Sequence, residues 1–374
     1  MIEKFIPVCE PMLDGKELEY VTDAVKTGWI SSAGKYIDLF EKTFAEFSNQ
    51  EYAIAVTNGT AALHLALLSA GVSEGDEVII PSFTMAATGF AVCYIKAVPV
   101  IVEVNKSDWT ININAVEEAI SPRTRAIISV NIFGIPSDLE SLKKIARKHN
   151  IVLVDDCAEG HGSLLNNKPT STYADISCYS FYANKNLTTG EGGMVVTNNR
   201  AFADQVKYYR NMCFSLDAPR NYQHNDVGYN YRMSNVVAAL GAAQVEKADS
   251  NIEARVRVGR LYRQYLKHKD VCFQVEESHY KNVYWMNAFY LAENCIKSIQ
   301  DLATYLKENN VDSRVLFKGM HQQPFILKSA HRLASANYEV TETLSTRGLY
   351  IPSGSQLSED TIKQISQVVL DFLG

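Results

Sequence analysis

Short apolar runs alternate with helical patterns over the first two thirds of the chain. Runs rich in Val and Ile predict buried strands in YAIAVTN, DEVIIPSF, VPVIVEV, TRAIISVNIFG, NIVLVDDCAE, ISCYSFY and GMVVTN. Helical patterns lie between several of these runs, in GTAALHLALLSAG, MAATGFAVCYIKA and SDLESLKKIARKHN. This alternation predicts an α/β fold with a mostly parallel sheet that is covered by helices on both faces.

The pattern changes after about residue 240. A long charged helical pattern leads into a strand-like run, a helix, a loop and a final helix: AAQVEKADSNIEARVRVGRLYRQYLKHK, YWMNAFYLAE, SIQDLATYLKENN, VLFKGMHQQP and SEDTIKQISQVVLDFL. These elements predict a smaller α+β domain. Because a chain of 374 residues exceeds the size at which a single core keeps growing, we expect two domains, residues 1–245 and 246–374.

Composition and charge narrow the function classes. Hydrophobic residues at 47% and charged residues at 21% are typical of a folded globular protein. A net charge of −6, with no basic run among aromatics, predicts no nucleic-acid partner. The seven cysteines include no CxxC pair, so neither a zinc site nor a disulfide framework is expected. The sequence shows no membrane span or signal peptide, and we expect a cytoplasmic protein.

In parallel sheets of this kind, ligands bind beyond the carboxyl ends of the strands. After the first predicted strand, Asn58, Gly59 and Thr60 open a helix. Free N–H groups at a helix start favour a phosphate, and the Thr60 hydroxyl can add a hydrogen bond. Taken alone, the string more often marks a helix that is capped by Thr57 or Asn58.

A second strand end, in IVLVDDCAEGHG, delivers two neighbouring acids. A carboxylate there can keep a bound pyridine nitrogen protonated, and such a ring acts as an electron sink. The acids also fit a turn cap. A third interpretation is a divalent-cation site with the ligands Asp155, Asp156, Glu159 and His161, although we expect no metal.

The third feature is Lys185, in a glycine-punctuated stretch that follows Ser180. Most lysines are surface residues, but the small and apolar neighbours here suit a desolvated amine of lowered pKa, as Schiff-base chemistry requires. The glycines would let the backbone approach a cofactor closely. A phosphate cradle, an acid for a ring nitrogen and a reactive lysine together predict a pyridoxal 5'-phosphate (PLP) enzyme that moves an amino group.

With these motifs, the chain resembles the DegT/DnrJ/EryC1/StrS family of sugar-nucleotide aminotransferases over nearly its whole length. The resemblance begins at PMLDGKELEYVTDAVKTGWISSAGKYIDLFE and ends at RGLYIPSGSQLSEDTIKQI. The opening segment and TGEGGMVVTN are most similar to those of 4-keto-6-deoxyhexose aminotransferases, which include the GDP-perosamine synthases. The resemblance implies fold type I, the aspartate-aminotransferase-like fold of PLP enzymes.

The resemblance also implies a role for individual residues. Lys185 matches the lysine that forms the Schiff base, and Asp156 matches the acid that pairs with the pyridine nitrogen. Glu159 lies where the family has Gln, Glu or His near the ring hydroxyl, and Met85 replaces an aromatic that usually stacks on the ring. The other implied contacts are those to the phosphate: Gly59, Thr60 and Ser180 from the same chain, and Asn230 from the partner subunit of a homodimer with shared active sites.

The implied reaction transfers an amino group from an amino acid, most simply L-glutamate, to the keto group of a nucleotide-linked 4-keto-6-deoxy sugar. The candidates for contacts to the substrate phosphates are Lys35, Arg232, Arg314, Lys318 and His321. Arg232 fits a dimer contact equally well, and His321 fits a structural histidine.

Other functions stay open. The segments VNIFGIP and RVLFKGMH depart from the family pattern where substrate contacts are expected, so a small phosphorylated ketone or aldehyde is an alternative acceptor. Sugar dehydration is disfavoured, because family members with that activity carry histidine in place of Lys185. A non-catalytic PLP-binding regulatory protein is a further alternative. A nicotinamide oxidoreductase would need a GxGxxG turn that the early strands lack.

Overall fold

The computed structural model describes residues 2–216, 219 and 222–374. As far as residue 197, the helices and strands are α1 (Glu17–Lys26), α2 (Lys35–Ser48), β1 (Tyr52–Val56), α3 (Gly59–Ser69), β2 (Glu77–Pro81), α4 (Ala86–Tyr94), β3 (Val98–Val102), α5 (Ile113–Ala119), β4 (Thr124–Val130), α6 (Leu139–His149), β5 (Val152–Asp156), β6 (Leu164–Leu165), β7 (Lys168–Pro169), β8 (Ile176–Ser180) and β9 (Gly193–Thr197).

The remaining elements are α7 (Arg200–Arg210), α8 (Asn235–Glu246), α9 (Ala248–Tyr265), β10 (Val271–Phe273), β11 (Tyr280–Lys281), β12 (Asn287–Leu291), α10 (Ile299–Glu308), β13 (Arg314–Val315), α11 (Pro324–Lys328), β14 (Arg332–Leu333), α12 (Glu339–Arg347), β15 (Gly348–Ile351) and α13 (Glu359–Leu373). Short 3-10 turns lie at Ile132–Gly134, Thr170–Thr172 and Met320–Gln322.

The largest sheet has eight strands in the order β1-β9-β8-β5-β4-β2-β3-β14. Strand β9 is antiparallel to both of its neighbours, and the other pairings are parallel. The predicted mostly parallel α/β sheet is confirmed, and every strand predicted in the first two thirds of the chain belongs to it. The C-terminal strand β14 pairs with β3 at one edge.

Both faces of this sheet are covered, which explains why its strands are apolar runs rather than alternating ones. Neighbouring residues of β2 illustrate the arrangement, because successive side chains of a strand lie on opposite faces. Ile80 packs in a core with residues of α3, α4 and α7. Ile79 packs in another core with residues of α5 and α6.

A second, antiparallel sheet has the strand order β10-β12-β15-β13, and residues of α9, α10 and α13 share its core. The long helical pattern predicted from residue 242 forms two helices, which are separated at Lys247. Helix α9 contacts both units, because Ile252 packs in a core of the large sheet and Tyr262 packs beside the second sheet. The boundary predicted after residue 245 stays a prediction.

A three-stranded sheet, β11-β6-β7, completes the described topology. None of the helices in the described part of the chain combines the length and the apolar character that crossing a membrane requires.

Candidate active site

A cavity of about 380 Å³ lies beyond the carboxyl ends of β1, β5 and β8. The structure brings together residues that are distant in the sequence, because parallel strands end at one edge of a sheet. The predicted cofactor contacts that line this cavity are Gly59, Thr60, Met85, Asp156, Glu159, Ser180 and Lys185.

Lys185 follows β8, and its side chain is only 10% exposed. Its Nζ lies 4.0 Å from Oε1 of Glu159 and 3.5 Å from the centroid of the Trp285 ring. Burial lowers the pKa of Lys185, and the neighbouring carboxyl of Glu159 partly opposes this effect. A larger share of the amine is therefore neutral and nucleophilic than in an exposed lysine.

Asp156 is the last residue of β5, and both of its carboxyl oxygens accept hydrogen bonds. The Ala158 N–H donates to Oδ1 at 3.1 Å, and the Thr88 hydroxyl donates to Oδ2 at 3.2 Å. Burial raises the pKa of Asp156 to about 6. A protonated ring nitrogen nearby would favour the charged carboxylate and reverse this shift.

Glu159 is held by the backbone N–H of Phe133, which donates to Oε2 at 2.7 Å. Burial raises the pKa of Glu159 to about 7, while the Lys185 amine acts in the opposite direction. The cavity therefore combines a lysine of lowered pKa with two carboxyls of raised pKa, which is typical of sites that transfer protons near neutral pH.

The neighbouring acid, Asp155, has a different environment. It is fully buried and accepts hydrogen bonds from Ser129 at 2.9 Å, Asn131 at 3.1 Å and the Cys157 thiol at 2.8 Å. His161 is also buried, and burial lowers its pKa to about 3. Within the described residues, no group of three His, Cys, Asp or Glu side chains is arranged to hold a metal ion.

The start of α3 has the form of a phosphate cradle. The side chain of Asn58 caps the helix by accepting the Ala61 N–H at 2.8 Å. In the described part of the chain, the N–H groups of Gly59 and Thr60 have no acceptor, as expected for a first helical turn. A Cβ on Gly59 would lie 2.7 Å from the Cβ of Ser180, so glycine allows the two strand ends to approach closely.

Four of the predicted substrate contacts lie outside this cavity. Lys35 forms an ion pair with Asp23 at 2.8 Å, and Arg314 forms one with Asp312. Lys318 is exposed. The His321 ring stacks on Tyr338 with a centroid distance of 4.2 Å. Their roles as substrate contacts stay predictions.

Asn230 and Arg232 also lie outside the cavity of the single chain. The Arg232 guanidinium donates to the side chain of Asn230 at 2.8 Å and also to the side chain of Asn211. Arg232 lines a separate cleft with Lys207 and Arg210. The contact of Asn230 across a dimer interface stays a prediction.

Several residues of the cavity wall were not predicted from the sequence: Thr84, Tyr182, Asn184, Glu191, Trp285, Phe317 and Tyr350. Thr88 was missed as well, although the segment PSFTMAAT places Thr84 and Thr88 one helical turn apart just after a strand, and their hydroxyls lie 3.0 Å apart. Three of the aromatic residues, Trp285, Phe317 and Tyr350, come from the C-terminal third, where no pattern in the sequence indicates which side chains reach the large sheet.

Comparison with known proteins places the chain in a family. The profile of the DegT/DnrJ/EryC1/StrS aminotransferase family matches residues 11–370. The chain belongs to this family. It is 37% identical over 369 residues to the GDP-perosamine synthase of Escherichia coli O157:H7, with 99% of each chain covered. It is 36% identical over 367 residues to the GDP-perosamine synthase of Vibrio cholerae, covering 98% of this chain and 99% of that protein.

The fold is also similar to that of solved family members. S. venezuelae DesV, in complex with a ketimine intermediate, matches with a TM-score of 0.88 at 26% identity, covering 96% of this chain and 94% of that chain. The predicted family, the PLP cofactor and the assignment as a PLP-dependent aminotransferase are thereby confirmed. The alternative of a non-catalytic regulatory protein is not supported.

Proposed function

We propose that this aminotransferase moves an amino group from L-glutamate to the keto carbon of a nucleotide-linked 4-keto-6-deoxy sugar. The observation that carries the proposal is the buried Lys185 amine in one cavity with the carboxyls of Asp156 and Glu159. The choice of acceptor is supported by the identity of 36–37% to two GDP-perosamine synthases over nearly the full length of each chain.

The cavity fits PLP at three points. The N–H groups of Gly59 and Thr60 would bind its phosphate, the carboxyl of Asp156 would hold a proton on the ring nitrogen, and the Lys185 amine would bind its aldehyde carbon. When bound, PLP supplies an electron-withdrawing ring that stabilises a carbanion at the reacting carbon.

Lys185 moves the proton. Once the donor's amino group has taken its place at the aldehyde carbon, the freed neutral Nζ would accept the proton that leaves the α-carbon of the donor, and the ammonium would return this proton to the carbon that Lys185 had held. The lowered pKa of Lys185 favours the first step, since an ordinary lysine is protonated at neutral pH. The carboxyl of Glu159, 4.0 Å away, stabilises the ammonium in the second step.

A homodimer with shared active sites belongs to the proposal. Among the described residues that line the cavity, Lys185 is the only cation, and three acids, Asp156, Glu159 and Glu191, line the same cavity. An anionic nucleotide would need positive groups from elsewhere, because one lysine among three acids gives no net attraction for further phosphates beyond the one that Gly59 and Thr60 would bind. A second subunit that brings Asn230 and Arg232 to the cavity would supply hydrogen bonds and a positive charge.

Replacement of Lys185 tests the chemistry. Lys185→Ala removes the reactive amine, so we expect glutamate-dependent activity to fall by at least roughly 10²–10⁴-fold while the fold is retained. Lys185→Arg keeps the positive charge but has no neutral amine, and the same loss is expected. The measurement is 2-oxoglutarate formation, with circular dichroism as the control for folding. Wild-type activity in either variant would rule out the proposed role of Lys185.

A half-reaction tests the acceptor. The enzyme is loaded with glutamate, freed of excess donor and mixed separately with nucleotide-linked 4-keto-6-deoxy sugars and with small keto phosphates. We expect only a nucleotide-linked sugar to restore the visible absorbance of the starting enzyme. Restoration by keto phosphates alone would instead support the small-acceptor alternative.

A further inference from the structure

The indole ring of Trp285 lies closer to the reactive amine than any carboxylate contact described above. Its centroid is 3.5 Å from Nζ of Lys185, whereas Oε1 of Glu159 is 4.0 Å from the same atom. Both side chains are buried, since the lysine side chain is 10% exposed and Trp285 is 4% exposed. A cation over an aromatic face is attracted to it, and more strongly when water is excluded.

Trp285 also contacts the loop that carries the lysine. Its indole N–H donates a hydrogen bond to the carbonyl of Asn184 at 3.1 Å. Asn184 immediately precedes Lys185 in the chain. One side chain therefore contacts the lysine at its amine and at the backbone that leads into it.

The orientation of the ring is fixed by its surroundings. The backbone N–H of Trp285 donates to the carbonyl of Phe133 at 3.0 Å, and the Arg255 guanidinium donates to the Trp285 carbonyl at 3.3 Å. The indole stacks on the Phe133 ring with a centroid distance of 6.0 Å and an interplanar angle of 11°.

We propose that Trp285 is a positioning residue that binds the ammonium form of Lys185 on its ring face and fixes the lysine loop through Asn184. This inference rests on the proposed function, in which Lys185 takes up and releases a proton. The ring stabilises the charged amine more than the neutral one, so it holds the side chain inside the cavity after proton uptake. Release of the proton weakens the contact and frees the amine to react.

The effect of the Trp285 ring on the pKa of Lys185 can be separated from the effects of the charged groups nearby. The titratable groups that face the Lys185 amine are the carboxyls of Glu159 and Asp156, the thiol of Cys9 and the imidazole of His161. All of them stay in place when only Trp285 is changed. Because the ring favours the ammonium, its removal is expected to lower the pKa of Lys185 by about one unit.

The test measures the protonation of Lys185 in the full-length chain without cofactor. A small acylating reagent is applied over a range of pH, and mass spectrometry of peptides quantifies the labelling of Lys185. We expect Trp285→Leu to shift the half-maximal pH down by about one unit. Trp285→Phe keeps a ring but loses the hydrogen bond to Asn184, so most of the wild-type profile should be retained.

Phe317→Leu is the matched control, because Phe317 also lines the cavity and stacks on Phe133. Its labelling profile is expected to match the wild type. An unchanged profile in Trp285→Leu would overturn the inference, and so would an equal shift in Trp285→Phe. If Trp285→Leu does not fold, Trp285→Met provides a longer and more flexible side chain without a ring and has the same expected shift.

The labelling experiment uses neither cofactor nor acceptor, so its outcome is independent of the activity tests. Wild-type activity in Lys185→Ala would contradict the proposed function, but a labelling shift in Trp285→Leu would still show that the ring stabilises the ammonium of Lys185. An unshifted Trp285→Leu profile would end this inference alone.

Discussion

Asp155 and Asp156 are neighbours at the end of β5, but their environments differ. Since side chains alternate along a strand, only one of the two can face the cavity. Asp155 is satisfied inside the protein by Ser129, Asn131 and Cys157, whereas Asp156 lines the cavity. The sequence shows that two acids end the strand. It does not show which one is enclosed by internal donors, because those donors come from other segments.

The raised pKa of Asp156 predicts that the free energy of unfolding of the cofactor-free protein depends on pH. The folded-state pKa of Asp156 is about 6, above its ordinary value of 3.8, so the protonated carboxyl stabilises the folded protein. This contribution is complete below pH 3.8 and is lost as the pH rises through 6. Asp156→Asn removes this titration, and its amide can still accept the Ala158 N–H and can donate to the Thr88 hydroxyl instead of accepting from it. From pH 5 to pH 8 we expect the variant to gain roughly 1 kcal/mol in unfolding free energy relative to the wild type.

Urea unfolding of the two cofactor-free proteins at both pH values measures this difference. With PLP present, we expect the wild type to be the more stable of the two proteins, because the protonated ring nitrogen stabilises the carboxylate of Asp156. Asp156→Asn should also bind PLP more weakly and lose activity. A stability difference that does not vary with pH would contradict the raised pKa.

At the scale of elements, the junction of β1, α3 and β8 depends on the close approach of Gly59, at the start of α3, to Ser180, at the end of β8. The Cβ of an alanine at position 59 would lie 2.7 Å from the Cβ of Ser180. Gly59→Ala is therefore expected to cost about 1–3 kcal/mol in unfolding free energy and to weaken PLP binding, because α3 must move away from the cavity edge. Urea unfolding and titration with PLP measure the two effects.

A double variant separates this clash from other effects of the substitution. Gly59→Ala combined with Ser180→Gly removes the atom that the new methyl group meets. The two changes should therefore be non-additive, with the double variant more stable than the sum of the single effects predicts. Additive costs would show that contact with Ser180 is not the cause.

Seven of the eight strands of the large sheet were predictable, because each is a buried apolar run that can be read from the local sequence. Other elements depend on tertiary contacts. Strand β14 has only two residues and exists through its pairing with β3. The break between α8 and α9 at Lys247 is not marked by a Gly or Pro in the sequence. The packing of the two helices determines its position instead. Trp285 was missed for the same reason.

At the scale of the whole molecule, shared active sites predict complementation between two inactive variants. Lys185→Ala and Asn230→Ala chains are unfolded together and refolded as a mixture. Each shared site takes Lys185 from one subunit and Asn230 from the other. In a mixed dimer, one site therefore carries both substitutions and the other site carries neither. We expect about a quarter of the wild-type activity, since half of the dimers are mixed and each has one intact site. Activity no higher than that of the separate variants would argue against shared sites.

The pairing of β14 with β3 has a consequence for how the protein is made. During translation, β3 leaves the ribosome long before residues 332 and 333 have been added. Its outer edge stays unpaired in the nascent chain, and such an edge readily recruits strands of other molecules. Premature termination before residue 332 should therefore yield aggregates rather than a smaller functional enzyme, and chaperones would protect this edge until synthesis is nearly complete.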